Sequence, residues 1–155
     1  MCRLIQTLVT VALPLVGGFL CGYFFPPDDW YKGLKKSDLV PPNWVFPVAW
    51  SVFYLAIGFA SHLIWISNHS GSGKPFALIL YTAQILLNWA WTPIFFGAHQ
   101  VLAALIDLVV LFVVAASCTI AFFRINLGAG FLMIPYVLWL GFASYLNLRI
   151  YQLNY

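Results

Sequence analysis

The sequence predicts an all-α membrane protein, a bundle of five transmembrane helices, and three observations predict it. Hydrophobic residues make up 63% of the 155-residue chain and charged residues only 7%. That is more apolar surface than a soluble domain of this size can hide. The apolar residues also fall into five continuous runs, each close to the ~20 residues a helix needs to cross ~30 Å of hydrocarbon. A transmembrane β-barrel would instead show ~10-residue segments alternating apolar and polar, and these runs do not alternate.

The first run, Ile5–Phe25, follows Arg3 and so resembles a secretory leader. It continues through Gly17, Gly18 and Gly22 with no short apolar core and no A-x-A site, so it is expected to be the first span. The others are Trp44–Ile66, Phe76–Phe96, Val101–Phe123 and Gly128–Tyr151. No linker is long enough to separate two cores, so residues 1–155 read as a single domain.

The long connection is Pro26 to Asn43. It carries Trp30 and Tyr31 and closes with Pro41-Pro42, with Asn43 as the expected N-cap of the next helix. A long aromatic loop is either a lid over a site or an interfacial segment with its rings in the aromatic belt. The connection Ser67–Pro75 reads as a Gly/Ser turn. The last two connections, Gly97–Gln100 and Arg124–Leu127, are tight, so the last three spans should be antiparallel neighbours. Pro14, Pro47, Pro93 and Pro135 fall inside spans, where a proline can kink a helix and open space.

The net charge of +3 is small and scattered, which does not suggest nucleic acid. Arg3, Lys74 and Arg124 fall at one end of the bundle and Lys32, Lys35, Lys36 and Arg149 at the other, which leaves the orientation open. Cys2, Cys21 and Cys118 are far apart and read as small apolar fillers. His62 and His99 have no second ligand at helical spacing, so no metal site is expected. No nucleophile–base–acid set and no phosphate loop is present. An ion channel or secondary transporter would carry intramembrane charges or paired broken helices. Asp107 is the one acid inside a span. It is either a cation or proton site or a helix-start acid favoured by the macrodipole.

Polar residues within the spans are informative because hydrocarbon penalises them. Tyr81, Gln84, Asn88, Trp91 and Phe95 fall on one stripe of the third span, at spacings of three and four. Tyr136, Trp139, Ala143 and Asn147 do the same on the fifth, and Phe46, Trp50, Phe53 and Ile57 on the second. The stripes fit a pocket for a large, flat, mostly apolar ligand, oriented by Gln84, Asn88 or Asn147. They also fit interhelical amide glue.

The run Pro41-Pro42-Asn43-Trp44-Val45-Phe46-Pro47 resembles the P-P-x-W-x-F-P signature of the translocator protein (TspO/MBR) family, formerly the peripheral-type benzodiazepine receptor. Leu87 through Gly97, LNWAWTPIFFG, is similar to its third-helix signature. Trp30-Tyr31-x-Gly33-Leu34, Pro135-Tyr136-x-x-Trp139 and Leu146-Asn147 resemble its first loop and fifth helix. The likeness covers nearly the whole chain and is nearer the animal mitochondrial members than the bacterial ones.

The resemblance implies a five-helix bundle with a pocket closed by the first loop, where Trp30, Tyr31, Pro41 and Pro42 would form the lid. It implies protoporphyrin IX and related tetrapyrroles, and cholesterol or a similar sterol, as ligands to be bound and transported, with no required cofactor. Family pocket positions carry over to Trp50, Asn88, Trp91, Ala143 and Leu146. Trp50 and Trp139 match tryptophans linked in bacterial relatives to light-dependent porphyrin breakdown, the enzymatic alternative. A non-catalytic scaffold is a third reading. An outer mitochondrial membrane is the implied location and a bacterial membrane the alternative, with a homodimer left open. The chain departs from the family pattern at Lys36-Ser37-Asp38-Leu39, which lacks the usual Pro and Trp. Ala103 stands where many animal members have a pocket tryptophan. The sterol motif positions hold Leu148 and Gln152, while a shifted set of Leu140, Tyr145 and Arg149 fits the same loose pattern.

Overall fold

The computed structural model describes residues 2–68 and 71–155, with side chains from Thr7 onward. The side chains of Cys2 and Arg3, and residues 69–70 of the polar turn, therefore lie outside the described residues. The elements are α1 (Cys2–Phe24), a short α2 (Asp29–Gly33), α3 (Val45–Ile66), α4 (Gly73–Thr92) continued by a π-helical turn (Pro93–Gly97), α5 (Val101–Phe123) and α6 (Leu127–Asn154). Every helix except α2 is long and apolar enough to cross a membrane. The fold is an all-α bundle of five transmembrane helices.

Several boundaries differ from the sequence reading, each for a local reason. Helix α4 starts at Gly73 rather than Phe76. Pro75 fits its first turn, where a missing N–H costs nothing. Lys74 folds back so that Nζ donates to the carbonyls of Trp65 at 2.6 Å and Ser67 at 2.9 Å, satisfying the end of α3. Asn43 is not the N-cap of α3. Trp44 holds that position without a side-chain cap, and the double proline closes through Val45 N–H to Pro42 O at 2.9 Å. Asn126 caps α6 by accepting from the Ala129 amide at 3.0 Å. Of the four prolines expected inside spans, Pro14 and Pro135 are interior. Pro47 sits in the first turn of α3, and Pro93 opens the π-helical turn. That turn closes through Ala98 N–H to Pro93 O at 2.8 Å, and His99 then reverses the chain with a φ of 55°.

Around the bundle, α1 packs on α3, α3 on α6, α6 on α5 and α5 on α4, while smaller contacts of α4 with α1 and α3 close the ring. Lipid supplies no hydrophobic force between helices, so close backbone approach and hydrogen bonds must hold them. The α1–α3 contact uses both. A Cβ on Gly58 would lie 2.8 Å from the Val11 backbone, so only glycine fits there. His62 of α3 is buried and meets Thr7 Oγ1 at 3.1 Å and Thr10 Oγ1 at 3.4 Å. Helix α1 is nonetheless peripheral, with only Pro14 fully buried among its described side chains. The first loop, the π-helical turn and the end of α6 share one end of the bundle. The α3–α4 and α5–α6 connections share the other.

Candidate functional site

The three stripes converge in the interior. From α3, Phe46, Trp50 and Phe53 face Trp139 of α6 at ring separations of 6.1, 6.4 and 5.6 Å. Trp50 and Trp139 stand edge to face, with an interplanar angle of 89°. Trp50 also stacks on Tyr54 at 5.5 Å. This aromatic wall is half-buried and fills the α3–α6 seam.

Behind it runs a polar chain that joins α3, α4 and α6. The Tyr54 hydroxyl donates to Asn88 Oδ1. Asn88 Nδ2 donates to the Tyr136 hydroxyl at 3.1 Å, and that hydroxyl donates to Gln84 Oε1 at 2.7 Å. Gln84 and Tyr136 are 0% exposed and Asn88 4%, so these groups satisfy one another inside the bundle. A ligand reaches them only after the side chains above them move. Three buried donors have no partner among the described residues, the Tyr81 hydroxyl, Gln84 Nε2 and Trp139 Nε1. Tyr81 stacks on Phe122 at 6.1 Å, toward the other end of α4.

A second aromatic cluster lies at the end of the bundle that carries the first loop. Trp91 stacks on Phe95 at 4.9 Å, and its Nε1 donates to Asn147 Oδ1 at 3.1 Å. Asn147 Nδ2 in turn donates to Val101 O at 3.0 Å, which ties α4, α5 and α6 together. Leu146 is buried beside Asn147, and Ala143 is half-buried and packs on the core. Trp89, two residues from Trp91, turns to α1, where its Nε1 meets Pro14 O at 3.4 Å and its ring occupies the space a Cβ on Gly17 would need.

The first loop folds over this cluster. Asp28 caps α2 by accepting from the Tyr31 amide at 3.1 Å, and its other oxygen meets His99 Nε2 at 2.9 Å. The His99 ring stacks on Trp30 at 4.1 Å, and Tyr31 packs edge-on against Phe95 and Phe96. The Tyr31 amide, with His99 adding to it against partial desolvation, holds the Asp28 carboxyl below the usual carboxylate range. Burial pushes the Tyr31 hydroxyl up. Desolvation pulls the Lys36 ammonium down, where Nζ donates to Tyr31 O at 2.6 Å and lies 4.3 Å from the Tyr31 ring centre. Lys35 and Asn154 exchange two hydrogen bonds of 2.9 Å, clamping the loop to the end of α6. The stretch that lacks the usual Pro and Trp is a small turn of its own, with Val40 N–H donating to Ser37 O at 3.1 Å. Pro41 is half-buried and Pro42 exposed, on the approach to α3.

Not every candidate joins this site. Tyr145 is 40% exposed on the outer face of α6. Arg149, on the same face one turn on, donates to Gln152 Oε1 at 2.8 Å. The structure therefore separates the sterol pair from the interior residues. Asp107 lies beyond the first turn of α5, so the macrodipole reading fails, since that effect fades within one turn. Its Oδ2 is buried without a partner among the described residues. Among the described residues no three metal-ligating side chains come together. Cys118 is buried and Cys21 half-buried, both as free thiols.

Sequence reasoning missed Tyr54, although its place four residues after Trp50 put it on the same stripe. It also missed the Asp28–His99 and Lys35–Asn154 ties. These join residues distant in sequence, and no local pattern marks them.

The TspO/MBR family model matches residues 10–153. A translocator protein of Homo sapiens is 41% identical over 145 residues, covering 92% of this chain and 86% of that protein. Protein CrtK of Rhodobacter capsulatus is 35% identical over 133 residues, covering 86% of this chain and 83% of that protein. Tryptophan-rich protein TspO of Chlorobaculum tepidum is 34% identical over 158 residues, covering 98% of each. The chain belongs to the TspO/MBR family.

Proposed function

We propose that this membrane protein binds flat tetrapyrroles such as protoporphyrin IX, together with sterol-like lipids, between α3, α4 and α6 beneath the first loop, and moves them within or across the membrane. One observation carries the reading. Trp139 Nε1 is a buried donor without a partner among the described residues, set in a wall of Phe46, Trp50 and Phe53. An unpaired donor in an apolar site is costly, and a ligand acceptor relieves that cost. The rings around it offer faces for a planar, mostly apolar body. The first loop, held by His99, Phe95 and Asn154, acts as the lid and releases before the ligand enters. Transport is the activity that the name of the human relative suggests, and an outer mitochondrial membrane is the proposed location.

A fluorescence titration of the purified protein with protoporphyrin IX in the dark tests the reading. Saturable binding that weakens in Trp139→Phe, which keeps a ring and removes the donor, supports it. Equal affinity in the two proteins removes its basis. The edge-to-face pair Trp50 and Trp139 favours a second reading, light-dependent breakdown of the bound porphyrin. The same samples under illumination decide it. If free porphyrin bleaches as fast without protein, that reading falls.

A further inference from the structure

At the end of the bundle remote from the first loop, an open groove of about 460 Å³ runs between α4 and α5. Phe76, Leu80, Ile120, Ala121 and Ile125 form its walls, and Arg124 stands at its mouth. From Gly73 to Leu80 it reaches about 10 Å along α4 into the bilayer, at 1.5 Å per residue. We propose that this groove is a binding site for an anionic phospholipid, with an acyl chain along the walls and the phosphate on Arg124.

Charge selects the occupant. Arg3, Lys74 and Arg124 belong to this end, and no Asp or Glu does. Asp28, Asp29 and Asp38 all lie in the first loop, and Asp107 lies near the start of α5, in the opposite half. The far end is therefore wholly cationic, while the loop end mixes both signs. Lys74 is already engaged with the carbonyls of Trp65 and Ser67. Arg124 is exposed, and among the described residues its guanidinium meets no carboxylate. An Arg beside apolar walls at the membrane surface matches a phosphate above an acyl chain, where the fork geometry of the guanidinium favours the phosphate oxygens. A zwitterionic lipid fills the walls equally well but brings its own cation to Arg124.

Native mass spectrometry of the full chain, released from micelles holding equal palmitoyl-oleoyl phosphatidylglycerol and phosphatidylcholine, tests this. The wild type is expected to retain phosphatidylglycerol preferentially. Arg124→Gln should cut that preference about fivefold, the worth of one cation near the surface, and Arg124→Lys should restore most of it. Ser117→Phe fills the groove from an exposed position of α5 and should also abolish the preference. Arg149→Gln, at the opposite end, should leave it intact. Circular dichroism melting confirms that each variant keeps the bundle. Equal retention of the two lipids by the wild type overturns the proposal. So does a preference that survives either Arg124→Gln or Ser117→Phe, or one that falls as much in Arg149→Gln.

Discussion

Tyr136→Phe isolates the interior hydrogen bonds from the packing around them. Tyr136 is fully buried, and its hydroxyl both accepts from Asn88 at 3.1 Å and donates to Gln84 at 2.7 Å. Phenylalanine keeps the ring and its contacts with Trp50 at 6.5 Å and Phe53 at 6.4 Å, so no cavity forms. What is lost is two interhelical hydrogen bonds, with Gln84 Oε1 and Asn88 Nδ2 left facing a ring edge. Hydrogen bonds between membrane helices average about 0.6 kcal/mol and reach about 1.7. The expected loss is thus about 1–3 kcal/mol, the upper part reflecting stranded buried groups. Adding Gln84→Leu removes one stranded acceptor, and with it the Nε2 that already lacks a partner. The double variant should then be about 1 kcal/mol more stable than the sum of the single losses. The assay is reversible denaturation of the micellar protein followed by circular dichroism, on the wild type, both single variants and the double. A Tyr136→Phe protein within about 0.3 kcal/mol of the wild type would refute the reasoning, and so would strict additivity.

Trp91→Ala should weaken porphyrin binding by about 1–3 kcal/mol, the scale of losing a buried aromatic anchor. Trp89→Ala should leave binding nearly unchanged and lower stability instead, because that ring packs against α1; equal binding losses in the two would sink the assignment of faces. Gly58→Leu drives a side chain into the Val11 backbone and should detach α1, read as faster proteolysis and exchange confined to α1. The Asp28 carboxyl sits below its usual value of 3.8, so its hold on α2 is complete above that value and is lost as pH falls through the lowered one. The Tyr31 amide resonance should therefore titrate with a midpoint below 3.8 and stop titrating in Asp28→Asn, which can still cap the helix; a midpoint above 3.8 contradicts the assignment.

The spans were legible because hydrocarbon imposes a length and a composition that no other fold shares, and α5 runs from Val101 to Phe123 as the apolar run does. Boundaries slipped where polar residues join a helix for local reasons, as at Gly73–Pro75, where Lys74 reaches back to the carbonyls of Trp65 and Ser67. Helical spacing placed Gln84, Asn88 and Trp91 on one face, because all three project from a single regular helix. Spacing could not say which of them bond one another. That depends on the rotation of α3 and α6 about their axes, which brings Tyr54 and Tyr136 to Asn88 and leaves Asn147 for Trp91. The loop was least legible of all. Its ties run from Asp28 to His99 and from Lys35 to Asn154, and only the closed bundle brings those ends together.

Under the proposed function, the groups that hold the helices of this bundle stand beside those offered to a ligand. Without a hydrophobic force between helices, the seam of α3, α4 and α6 relies on ring contacts and on the chain Tyr54–Asn88–Tyr136–Gln84. Under the proposed function a tetrapyrrole enters beside that chain and competes with it. Binding by breaking Tyr136–Gln84 would strand two buried groups and forfeit much of the affinity gained. Binding to Trp139 Nε1 and Gln84 Nε2 forfeits nothing, since both donors already lack partners. A ligand with acceptors placed for those two donors should therefore raise stability together with occupancy. One that needs the Tyr136 hydroxyl should bind and yet stabilise little. Comparing the melting shift at saturation between the wild type and Tyr136→Phe separates the two modes, because only the second loses its partner when the hydroxyl is removed.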